Sequence, residues 1–250
     1  MTNSTRPPFI LSDVPGRLFA VGDIHGCFSE LSLLLNFLES EKSFNTDDTI
    51  IFIGDYIDRG ANTASVVQLL IDWSKKYPRS LFLKGNHEQF LIKTLNKDFQ
   101  AAEHWWKNGA KEALESYGLN FAHLDKLESS LPPEHIDFFT NKLERYIISN
   151  EYVFVHAGID VDKPILTQVD EVIFWVRDAF LSRDVSIDKT IVFGHTPFKD
   201  VSVSKGKIGI DTGCVYGGKL SVVNLADNEI YSCGLGVQTV IVGQLDKLVL

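Results

Sequence analysis

Five apolar runs in this chain end the same way. RLFAVGDIHG (17–26), TIIFIGDYIDRG (49–60), SLFLKGNHE (80–88), YVFVHAG (152–158) and TIVFGHT (190–196) each pass from an apolar stretch into glycine and a polar cluster. Short apolar runs bounded by glycine read as buried strands. Between the first three lie ELSLLLNFLES (30–40) and SVVQLLIDWSKKY (65–77), with apolar residues at three- and four-residue spacings, the mark of helices. Strand–helix–strand alternation with buried strands predicts a largely parallel or mixed sheet covered by helices. Ligand sites in such sheets form beyond the carboxyl ends of the strands. Each run delivers its polar cluster at that end, so the clusters read as one site and not as separate turns.

The remaining sequence differs in texture. Residues 89–149 are mostly helix-like, including HWWKNGAKEALESYG (104–118) and LPPEHIDFFTNKLERY (131–146), where Pro132 and Pro133 suit a helix start. This stretch reads as an insert carried on the sheet and placed as a lid beside the site. After Thr196 the chain turns to short strand-like runs, VSVSKGKIGIDTG, KLSVVNLADNEIYS and QTVIVGQLDKLVL, with a hairpin turn at Asp227-Asn228. They predict a second sheet packed on the first, within one domain spanning 1–250. The start, with Pro7 and Pro8, reads as a flexible lead-in.

Charge and composition narrow the function. A net charge of −9 argues against non-specific binding to nucleic acid or to an anionic membrane. It leaves room for an anionic substrate where bound cations dominate the local field. MTNSTRPPFI lacks the basic and apolar regions of a signal peptide, and no apolar run is long enough to span a bilayer. Cys27, Cys214 and Cys233 are too few and too scattered for a disulfide framework. The expectation is a cytoplasmic protein.

Collected, the strand-end residues are Asp23, His25, Asp55, Asp58, Arg59, Asn86, His87, His156 and His195. Carboxylates, imidazoles and an amide oxygen suit borderline divalent ions such as Mn, Fe(II), Zn or Co. Asp23, His25, Asp55, Asn86, His156 and His195 are too many ligands for one ion. With Asp55 as a bridge, two ions roughly 3.5–4 Å apart would each keep room for water and substrate oxygens.

The motifs GDIHG, GDYIDRG, GNHE, HAG and GHT, in this order, resemble the signature of the PPP-type metallophosphoesterases. That group holds the metal-dependent serine/threonine protein phosphatases, their phage and bacterial relatives, and the symmetrical diadenosine tetraphosphate hydrolases. The match covers 17–215, with the insert matched loosely. The resemblance implies an α/β calcineurin-like fold, a β-sandwich flanked by helices. It implies that Asp23 and His25 hold a first metal, that Asp55 bridges, and that Asn86, His156 and His195 hold a second. Mn is the expected ion in vitro, with Fe, Zn, Co or Ni able to serve. His87 would protonate the leaving oxygen, and Asp58 would hold its imidazole. Arg59 and Asn86 would contact phosphate, as would Arg177 in FWVRDAF (174–180). The implied reaction is in-line attack of a metal-bound hydroxide on phosphoserine, phosphothreonine or phosphotyrosine, with no covalent phosphoenzyme.

Other readings stand beside this one. A symmetrical diadenosine tetraphosphate hydrolase would use the same centre, although that subgroup tends to depart from DRG and to carry GNHD. A catalytically inactive, metal-holding binding module would not need His87, Asp58 and Arg59. A lone Asp-Gly or His-Gly is usually a turn. His104, His123 and His135 lie outside the strand-end set and read as surface or helix-packing residues, and Trp105 and Trp106 as insert core or as a platform for substrate. GCVYGGK (213–219) has P-loop spacing but is followed by Leu220, where Ser or Thr is needed. DTG (211–213) occurs once, and aspartic protease chemistry takes two aspartates. No cysteine has the C-x5-R spacing of cysteine phosphatases.

Overall fold

Residues 7–245 are described by a computed structural model. Two sheets face each other, and helices cover both outer faces. The strands, in chain order, are β1 (Phe9–Ile10), β2 (Leu18–Val21), β3 (Thr49–Phe52), β4 (Ser80–Leu83), β5 (Leu143–Glu144), β6 (Tyr146–Ile148), β7 (Tyr152–Val155), β8 (Thr190–Phe193), β9 (Ser202–Ser204), β10 (Lys207–Gly209), β11 (Lys219–Asn224), β12 (Glu229–Gly234) and β13 (Ile241–Gln244). One sheet runs β13-β12-β11-β2-β3-β4-β5 and the other β1-β6-β7-β8-β10-β9. The end of the QTVIVGQLDKLVL run, residues 246–250, lies outside the described residues.

The period of two along each strand sorts side chains between layers. Phe19 and Val21 of β2, with Ile50 and Phe52 of β3, point into a core shared with α1 (Phe28–Ser40) and α2 (Thr63–Lys76). Leu18, Ala20 and Ile51 face the other way, into a core between the sheets with Ile147, Phe154, Val192 and Ile208. The outer face of the second sheet buries Tyr146, Val153, Val155, Ile191 and Phe193 against Ile173, Phe174 and Phe180 of the 170–181 segment. β2, β3, β4 and β5 run parallel, and so do β7, β8 and β10, so five strand ends carrying motifs open in a common direction.

The helices between β2 and β3 and between β3 and β4 form as the spacing predicts. The expected division of strands into sheets needs correction. The late strands do not make a second sheet by themselves. β9 and β10 extend the sheet of β7 and β8, whereas β11 pairs antiparallel with β2 and carries β12 and β13 on its far side. The β11–β12 hairpin does turn at Asp227 and Asn228, with Asn228 at φ 57°. The helical stretch also closes earlier than expected. It comprises α3 (Asn86–Leu95), α4 (Phe99–Lys107), α5 (Ala110–Ser116) and shorter turns, and it ends in a π-helical turn at Phe138–Lys142. Residues 143–144 and 146–148 are strand, with β5 closing the edge beside β4 and β6 lying between β1 and β7 in the second sheet. No helix among the described residues is long and apolar enough to cross a membrane.

Candidate metal centre

The carboxyl ends of β2, β3, β4, β7 and β8 meet where the two sheets face each other. Asp23 and His25 follow β2, and Asp55, Asp58 and Arg59 follow β3. Asn86 and His87 open α3 just past β4, while His156 and His195 follow β7 and β8. All of them except Arg59 are buried. His25, Asp55, Asp58, Arg59 and His195 have φ between 45° and 73°. This left-handed region is costly for residues with a side chain, and such strain gathers at functional sites.

Backbone carbonyls set the histidine tautomers. His25 Nδ1 lies 2.7 Å from the Ile57 oxygen, and His156 Nδ1 lies 2.9 Å from the Ile53 oxygen. A carbonyl only accepts, so each Nδ1 carries a proton, and in the neutral ring Nε2 presents a lone pair. His156 Nε2 faces Asn86 Oδ1 at 3.0 Å and Asp55 Oδ1 at 3.5 Å, and His195 Nδ1 stands 3.1 Å from the same Asn86 oxygen. The other Asp55 oxygen faces His25 Nε2 at 3.4 Å and His87 Nε2 at 3.9 Å. Donor atoms of Asp55, His156 and His195 fall within 4.8 Å of one another, and so do those of His25, Asp55 and His87. Asp55 belongs to both groups. Carboxylate, amide and imidazole donor atoms gathered this closely fit divalent ions of the nitrogen- and oxygen-loving kind.

Three further atoms here are buried without a hydrogen-bond partner: His195 Nε2, His87 Nε2 and Asp58 Oδ1. Asp23 stands at the side of the donor groups. Both its oxygens accept from the His195 amide, at 3.2 and 3.0 Å. Burial, with Asp211 and Asp55 close by, pushes its carboxyl well above the usual range, a strain that a nearby cation would relieve. His87 is held by Asp58, Nδ1 to Oδ2 at 2.6 Å.

A family model for calcineurin-like phosphoesterases matches residues 16–222. The chain belongs to that family. It is 28% identical over 237 residues to the asymmetrical bis(5'-nucleosyl)-tetraphosphatase PrpE of Oceanobacillus iheyensis, covering 86% of this chain and 91% of that protein. It is 29% identical over 224 residues to serine/threonine-protein phosphatase 2 of Salmonella typhimurium, covering 85% of this chain and 94% of that protein. A crystal structure of a candidate diadenosine tetraphosphatase shares the fold, with a TM-score of 0.69 at 24% identity over 91% of this chain and 97% of that one.

In this calcineurin-like phosphoesterase the electrostatics follow burial and crowding. Burial pushes His195 down to about 2 and keeps its ring neutral. It pushes His87 down to about 4 and Asp58 well above the usual carboxylate range. Neither group favours a lone charge. A net-neutral pair avoids both costs: imidazolium with carboxylate, or imidazole with carboxylic acid. Both forms hold the same protons and leave a hydrogen on His87 Nε2. For Asp55, burial alone would raise the carboxyl, but the surrounding imidazoles, His156 foremost, hold it well below the usual range.

The two arginines sit differently. Arg59 is half-buried, donates from Nη1 to His25 Nε2 and lies over the Tyr216 ring at 5.5 Å. Arg177 is exposed at the rim, with Nη1 3.5 Å from Thr196 Oγ1.

Reading motifs alone passes over three residues. Glu88 takes the amide hydrogens of Asp55, Tyr56, Ile57 and Gly85 at 2.8–3.3 Å and so shapes the turn that presents Asp55. Asp211, in the segment set aside as a protease-like DTG, is pushed up to about 6, first by burial. Trp105 donates its indole N–H to Asp58 Oδ2 at 2.7 Å. Glu88 had a signal, an acid at the third position of a helix; the other two had none. His135 packs between helices, within 2.8 Å of Tyr117 Oη and 3.0 Å of Gln68 Oε1.

Proposed function

We propose that this calcineurin-like phosphoesterase is a dinuclear-metal phosphomonoesterase acting on phosphoserine and phosphothreonine, with phosphotyrosine and small aryl phosphates as further substrates. The supporting observation is the His87–Asp58 pair at 2.6 Å, with His87 Nε2 lacking a partner beside the donor groups. Serine and threonine alkoxides leave poorly unless protonated, and a positioned imidazole is suited to that task. Asp23, His25 and Asp55 would hold one ion, and Asp55, Asn86, His156 and His195 the other. When bound, such ions supply an activated water and positive charge for phosphoryl oxygens. His87 gives its Nε2 proton to the leaving oxygen, and Asp58 keeps the ring in place. Arg59 and Arg177 grip phosphoryl oxygens, a role that suits the guanidinium fork, and Asn86 adds its amide.

A second reading is hydrolysis of dinucleoside tetraphosphates. It is supported by the name of the Oceanobacillus relative and by two partly exposed aromatic rings at the site, Trp175 against His195 and Tyr216 under Arg59. An anhydride loses a stabilised phosphate and depends less on an acid. Initial rates with Mn²⁺ on a phosphothreonine peptide and on diadenosine tetraphosphate separate the two. Peptide turnover is expected to dominate and to fall about 10²–10⁴-fold in His87→Asn with metal retained. Dominant dinucleotide turnover would replace the first reading with the second.

A further inference from the structure

The Asp58 carboxylate is fully buried, and one of its oxygens carries two short contacts. Oδ2 shares a hydrogen bond with His87 Nδ1 at 2.6 Å and accepts from Trp105 Nε1 at 2.7 Å, while Oδ1 has no hydrogen-bond partner. A carboxylate can swing about its terminal torsion, which is broad and two-fold. Two hydrogen bonds on one oxygen stop that swing. Trp105 is itself buried, on α4 in the helical insert. The same segment holds the next residue of the motif: Arg59 N–H donates to the Gly109 carbonyl at 2.9 Å, and a Cβ at position 109 would lie 2.7 Å from Arg59 Cγ. Asp58 and Arg59 both have left-handed backbones, φ 73° and 65°, which surrounding contacts must maintain.

We propose that Trp105 is a positioning residue for the His87–Asp58 pair, and that the insert is the clamp that orders the acid. The indole N–H fixes which carboxylate oxygen faces His87 Nδ1. That in turn aims His87 Nε2, so the insert reaches the reacting atoms through Asp58. This role rests on the acid assignment given under Proposed function.

The test is Trp105→Phe, which keeps a large apolar ring and removes the donor. Turnover is compared on an alkyl phosphoester, a phosphoserine peptide, and on p-nitrophenyl phosphate, whose leaving group needs little help. The expected result is a fall in kcat of about tenfold or more on the peptide and less than about threefold on the aryl ester, with KM and bound metal unchanged. An equal loss on both substrates, or no loss, overturns the proposal. His87→Asn run in parallel reports on the parent reading. If His87→Asn keeps peptide turnover, the acid assignment fails whatever Trp105 does; if it loses turnover and Trp105→Phe does not, only the clamp falls. Should Trp105→Phe not fold, the indole ¹⁵N–¹H resonance of Trp105 in the unmutated protein decides. It should lie downfield and move in Asp58→Asn; an unmoved resonance overturns the proposal.

Discussion

At Gly85 there is no room for a single methyl group. A Cβ there would lie 2.1 Å from Asp55 Oδ1 and 2.5 Å from the Asp55 nitrogen. The backbone at this residue is extended, so glycine is required by space and not by conformation. Gly85→Ala is therefore expected to displace the Asp55 carboxylate while the sheets stay intact. Metal affinity should fall by about 10–100-fold, the usual range for a lost support of a ligand, with the far-ultraviolet circular dichroism unchanged. Titration calorimetry with Mn²⁺ checks this, and an unaltered affinity would mean that Asp55 does not set it. Gly194 is placed in the same way under Asp23 Oδ1, so both ends of the donor set rest on absent side chains.

Among the elements, the strand starts are held as deliberately as their ends. Just before β2 and β3, Arg17 and Asp48 lock the two strands at the side away from the site. The Asp48 carboxylate accepts from Arg17 N, Nε and Nη2 at 2.8, 3.1 and 2.7 Å and from Asn45 N at 3.0 Å. Burial alone would raise its pKa; Arg17 and the amides outweigh that and hold it below the usual range. A carboxyl depressed on folding contributes stability above its unfolded value, near 3.9, which is lost as pH falls through the folded value. Asp48→Asn should cost about 2 kcal/mol in urea unfolding at pH 7, and the gap to the unmutated protein should close below about pH 4. A gap that does not change with pH would sink the charge argument.

The same scale shows what could be read in advance. The strands ending in Asp23, Asp55, Asn86, His156 and His195 were legible because local chemistry marks both the apolar run and the polar end. The sharing of strands between sheets was not, because β11 beside β2 is a pairing across about two hundred residues with no local trace. Leu143 and Glu144 read as helix from Pro133 onward, but they lie against β4, where edge pairing overrides propensity. Trp105 has the composition of a core residue, and its one polar atom became meaningful only once Asp58 was found beneath it.

The whole molecule is two sheets clasped between helical layers, and the donor set takes residues from both sheets. Asp23, Asp55 and Asn86 come from one, His156 and His195 from the other. Ions bound there would hold the layers together in the folded state only. At a free concentration 100-fold above Kd, such binding adds about 2.7 kcal/mol, so chelation should lower Tm by about 5–11 °C for a chain of this size. Scanning calorimetry with and without chelator measures it, and an unchanged Tm would mean that no ion is held.

Because the two lips of the site ride on different sheets, its aperture also registers how the sheets sit on each other. The apolar layer of Ile51, Phe154, Val192 and Ile208 is thus the bearing on which the donor atoms keep their spacing. A side chain trimmed deep in that layer, with no polar atom near the site, would let one lip slip past the other and would detune ion selectivity before it unfolded the chain.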